Sequence, residues 1–80
     1  MGIYKSENFK KIYKYLFQNP SGKISSLKEK LKTIPEKNLI GIVNKLQNLQ
    51  FVELSSPHLI TKEVYYDLTP SGKKHYSIFY

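Results

Sequence analysis

Residues 26–54 read SLKEKLKTIPEKNLIGIVNKLQNLQFVEL, and the fold turns on how this stretch divides. Ser26 and Glu29 have the spacing of a capping box, which opens a helix carrying Leu27 and Leu31 on one face. That helix stops near Lys32 or Thr33. Pro35 marks the next start, because proline is favoured at a first helical position. From Pro35 to about Leu49, the residues Leu39, Ile42, Val43, Leu46 and Leu49 form a continuous apolar stripe at helical spacing. After Gln50 the period changes, and Phe51-Val52-Glu53-Leu54 is a β-prone run.

Working outward, Ser6 suits an N-cap and Glu7 a first turn. Phe9, Ile12, Tyr13, Leu16 and Phe17 then recur at helical spacing, with Lys10, Lys11 and Lys14 on the other face. Asn19-Pro20-Ser21-Gly22 ends that helix, and Lys23-Ile24 is a short extended stretch. Downstream, Ser55 to Lys62 reads as a loop too long for a tight hairpin turn. Glu63-Val64-Tyr65-Tyr66-Asp67-Leu68 is a second β-prone run. Thr69-Pro70 opens a last short helix carrying Tyr76, Phe79 and Tyr80.

The expected order is helix, short strand, helix, helix, strand, wing, strand, helix. The two central helices have the form of a helix-turn-helix. Three patterns resemble MarR-type and small archaeal or viral winged-helix regulators: Leu27-Lys28-Glu29-Lys30-Leu31, the stripe from Leu39 to Leu49 running into Phe51-Val52, and Tyr66-Asp67-Leu68-Thr69-Pro70-Ser71-Gly72. Two departures stand out. The turn Lys32-Thr33-Ile34-Pro35 is one residue longer than usual, and Gln50 stands where the family has Gly. The resemblance implies an α+β, mostly helical fold: a winged helix-turn-helix with a three-helix core, a β-wing and a short C-terminal helix. Residues 1–80 would make one domain. It also implies a basic residue at the wing tip, for which Lys62 is the nearest candidate.

Charge points to a polyanion. Thirteen Lys, with no Arg, stand against six acidic residues, for a net +7 and a pI near 9.6. Such a surface attracts nucleic acid. Lys is a point charge suited to phosphate, whereas bidentate reading of guanine favours Arg. Sequence reading would therefore lean on Asn, Gln and shape. With the apolar stripe of helix 35–49 turned inward, Lys37, Gly41, Asn44, Lys45 and Asn48 point outward. Asn pairs bidentately with adenine, and a glycine lets backbone approach a groove, unless it serves to pack a neighbouring helix or the face is only solvated. Residues 1–32 hold eight Lys against two Glu, so most of the net charge lies outside the recognition helix. Lys28 and Lys32 are candidate flanking phosphate contacts. The expected function is sequence-specific binding of double-stranded DNA by a transcriptional regulator, with helix 35–49 in the major groove and the 55–62 wing on flanking DNA.

Other classes fit poorly. Without Cys there is no disulfide, and two histidines cannot build a structural zinc site. Both His58 and His75 read as surface residues without a catalytic partner, so neither an enzyme nor a cofactor is expected. Gly22-Lys23 and Gly72-Lys73 lack the rest of a phosphate loop. No apolar run is long enough to span a membrane, and the expected location is cytoplasmic. Met1-Gly2 through Ser6 matches a lipidation pattern, but capping explains Ser6 better. Ile3, Tyr4, Ile78, Phe79 and Tyr80 are many large apolar groups to leave wet, which points to a homodimer through the terminal segments. A winged helix that binds protein rather than DNA would instead use Tyr4, Tyr15, Tyr76 and Tyr80.

Overall fold

The computed structural model describes residues 7–80. The elements are α1 (Glu7–Gln18), β1 (Ser21–Lys23), α2 (Ile24–Lys30), α3 (Glu36–Asn48), β2 (Val52–Leu54), β3 (Tyr65–Leu68) and α4 (Pro70–Phe79). The strands form an antiparallel sheet in the order β1-β3-β2. Ser21 pairs with Asp67 and Lys23 with Tyr65, while Val52 pairs with Leu68 and Leu54 with Tyr66. This is a winged helix-turn-helix: three helices, a small sheet whose β2–β3 connection is the wing, and a closing helix. The expected Ser6 cap lies outside the described residues.

One core joins the layers. Phe9, Ile12, Tyr13 and Leu16 from α1 meet Leu27 from α2, Leu39, Ile42, Val43 and Leu46 from α3, and Val52, Tyr66 and Leu68 from the sheet. The turn between α2 and α3 is anchored by buried Ile34, whose N–H donates to the Leu31 carbonyl at 3.0 Å. Burial gives the extra residue of this turn a use.

Several boundaries differ from the sequence expectation: β1 lies at Ser21–Lys23 rather than Lys23-Ile24, and α2 ends at Lys30, short of Lys32 or Thr33. The second helix begins at Ile24, not at Ser26, and its N-cap Lys23 makes no side-chain cap bond. The residue just before β3 substitutes for a cap, since the Ile24 N–H donates to the Val64 carbonyl at 2.9 Å. Glu63 and Val64 belong to the wing, and β3 starts at Tyr65. At the far end the sequence signal holds: the Thr69 hydroxyl oxygen accepts from the Gly72 N–H at 3.0 Å, and Pro70 follows at the first helical position.

Helix α3 ends in a Schellman motif. The Phe51 N–H donates to the Leu46 carbonyl and the Gln50 N–H to the Gln47 carbonyl, both at 2.9 Å. Gln50 sits in the left-handed region, at φ 65°. Glycine is favoured there because it carries no Cβ to clash. Gly72 is small for another reason, since a Cβ on it would overlap the Phe51 carbonyl oxygen. The start of α4 therefore lies directly against the chain entering β2.

Tyr13 closes α1 on α4. Its hydroxyl donates to the Gly72 carbonyl at 2.7 Å and lies 3.1 Å from His75 Nδ1. Burial, with the neighbouring Tyr80, pushes the Tyr13 pKa up to about 12. His75 stacks on Phe51 at 4.4 Å and packs against Phe79 at 4.7 Å. It is half-buried, not a surface histidine as the sequence suggested.

Candidate nucleic-acid interface

Helix α3 turns Leu39, Ile42, Val43 and Leu46 into the core, which leaves Lys37, Gly41, Asn44 and Asn48 exposed. Asn44 and Asn48 lie one helical turn apart on that outward face. Lys45 differs from expectation: it is half-buried at the edge of the face and does not stand fully clear of it. Asn38 is exposed and adjoins the same face, three residues before Gly41. Sequence reasoning passed over Asn38, although its i, i+3 spacing to Gly41 was a usable signal.

Gly41 has open space on its outward side. A Cβ built there would meet nothing within 4 Å. This removes the packing explanation: among the described residues, none approaches closely enough to require a glycine. The helix interior thus carries a residue that costs about 0.5–1 kcal/mol relative to Ala, with no compensating contact among the described residues.

Lys28 is not a free flanking cation. Its Nζ donates to Glu36 Oε1 at 2.7 Å, bracing α2 against the first turn of α3. That hydrogen bond, helped by the lysine charge, holds the Glu36 carboxyl below its ordinary pKa. A phosphate approaching Lys28 would compete with Glu36 for the same ammonium. The expected role for Lys28 is therefore weakened, whereas Lys32 is exposed in the turn.

The wing runs from Ser55 to Val64 and is held by its own hydrogen bonds. The Ser55 N–H donates to the Tyr65 carbonyl, and the Tyr65 N–H returns to Ser55 Oγ, both at 2.9 Å. Farther out, the His58 N–H donates to the Glu63 carbonyl at 2.9 Å and the Lys62 N–H to the His58 carbonyl at 3.0 Å. His58 is thus a wing residue, as expected, but also an organiser of the wing. Lys62 is exposed at the end of this turn with φ 62°. The Glu63 carboxylate accepts from the Ser25 hydroxyl at 2.9 Å, which draws it back toward α2.

The terminal apolar residues divide. Ile78 and Phe79 are exposed, at 62% and 68%. Tyr80 folds back, with its ring 5.4 Å from Tyr76 and 5.5 Å from Tyr13. Ile3 and Tyr4 lie outside the described residues. Tyr15 and Tyr76 are half-buried against the core, so they are poorer docking groups than the sequence suggested.

No helix among the described residues is long and apolar enough to cross a membrane. No family model matches the chain, and no curated protein does. Among solved structures, the chain is similar to a crystal structure of NadR, a MarR-family winged-helix regulator, in complex with 4-hydroxyphenylacetate. The TM-score is 0.74 at 23% identity, covering 91% of this chain and 51% of that one. This chain therefore spans about half the length of that neighbour. The likeness shows the fold, an α+β, mostly helical winged helix-turn-helix.

Proposed function

We propose that the chain acts as one sequence-specific, double-stranded DNA-binding domain of a transcriptional regulator. Helix α3 enters the major groove, presenting Lys37, Gly41, Asn44, Lys45 and Asn48. The wing lies on flanking DNA with Lys62, while Lys32 and, in part, Lys28 hold phosphates. The observation that carries this reading is Gly41, a helix-interior glycine opening onto space on the polar face of an amphipathic helix. A groove wall or phosphate strand lying close to that backbone accounts for a residue that intramolecular packing does not. The net charge of +7 supplies the attraction, and the winged-helix fold is compatible with it. A protein-binding role has less support, because Tyr15, Tyr76 and Tyr80 are engaged with the chain's own core.

The test is Gly41→Ala, which should move stability and binding in opposite directions. Thermal unfolding should rise, reflecting about 0.5–1 kcal/mol of helix propensity. Affinity for duplex DNA should fall, because the new methyl occupies the approach surface. A variant that is more stable and binds duplex as well as the wild type would remove α3 from the groove.

A further inference from the structure

The apolar groups at the end of the wing are left uncovered by the described residues. Leu59 and Ile60 are 89% and 85% exposed, the most exposed of the large apolar residues among those described. They are not on a loose loop. His58 Nδ1 faces the Ile60 and Thr61 N–H groups at 3.2 and 3.4 Å, and Thr61 Oγ1 accepts from the Glu63 N–H at 3.3 Å. The turn is therefore ordered by several of its own hydrogen bonds and leaves two aliphatic side chains exposed. With Glu63 drawn back by Ser25, the formal charge beside them is that of Lys62.

We propose that Leu59 and Ile60 form an apolar wedge that enters the minor groove of A·T-rich DNA and unstacks a base step. This rests on the DNA-binding reading above and adds a mode of contact to it. Size decides against the other occupants. Two side chains fall far short of the roughly 800 Å² per partner of a stable protein interface. A bilayer surface is engaged by a whole amphipathic helix with a cationic polar face, which this turn is not. A wedge, by contrast, needs only one or two aliphatic groups at a flexible step. The length of the wing permits such a contact. From Val52, just beyond the end of α3, to Leu59 is seven residues, a span of at most about 25 Å when extended. The neighbouring minor groove lies half a helical turn away, about 17 Å along the axis.

The experiment uses the full chain and Leu59→Ser/Ile60→Ser, which alters only exposed positions; unfolding curves check that the fold is kept. The probe is an A·T-rich duplex of about 30 base pairs. It carries 2-aminopurine at a central TA step and a donor–acceptor pair at its ends. The wild type should raise 2-aminopurine emission and shorten the end-to-end distance. The double variant should bind about tenfold more weakly, without either signal and with the same salt slope. Equal bending and affinity for both proteins overturn the wedge while leaving DNA binding intact. Absence of duplex binding by the wild type removes the DNA reading and the wedge with it. Loss in the variant of self-association, or of binding to phosphatidylglycerol vesicles, with no change on DNA, reassigns the tip to a second copy or to lipid and overturns the proposal.

Discussion

Gln50 turns the chain from α3 toward β2 with a backbone conformation that L side chains seldom adopt. The resemblance to winged-helix regulators flagged this position, since Gly is usual there, and the φ of 65° gives the physical reason. The Thr69 hydroxyl donates to the Gln50 carbonyl at 2.7 Å, so the strained residue is held through its backbone. Gln50→Gly should therefore stabilise the protein by about 1 kcal/mol, seen as a higher urea midpoint at unchanged slope. A lower midpoint would mean that the glutamine side chain contributes something the geometry does not show.

Helix α3 was legible because its apolar stripe spans the whole element, so burial and exposure follow from the 3.6-residue period alone. The start of α2 was not. Ser26 and Glu29 imitate a capping box, yet Ile24 must be buried, and strand-side hydrogen bonding lets the helix begin there. Likewise, the pull of Lys28 toward Glu36 depends on the shape of the intervening turn, which no local pattern encodes. On the proposed reading, Asn44 and Asn48 of α3 meet base edges, since both are exposed and their amides match the donor–acceptor pair of adenine. Asn44→Ala or Asn48→Ala should cost about 1–3 kcal/mol on a selected A·T-containing site and little on random duplex. Lys62→Ala should weaken both by similar factors and reduce the salt slope by about one. Paired titrations on the two DNAs check this, and equal losses for the Asn variants on both would show that α3 only holds the backbone.

For the whole molecule, the uneven charge and the wet apolar end make separate demands. Ile78 and Phe79 remain exposed after folding, together with Phe17 and Tyr80 at 37% and 45%. This apolar surface is broader than the two residues of the wing tip, which favours self-association through the α4 end. Sedimentation at tens of micromolar protein, roughly where weak interfaces associate, should show a dimer; a monomer there would reject the arrangement. A two-fold dimer would set its α3 helices about 34–36 Å apart and favour a palindromic site. The central claim, that this all-lysine surface serves duplex DNA, meets its most direct test in the affinity of the wild-type chain for random duplex between about 50 and 200 mM salt. Neutralising four to six phosphates predicts a log–log slope of about −4 to −5. A flat response, or no binding at the low-salt end, would contradict it.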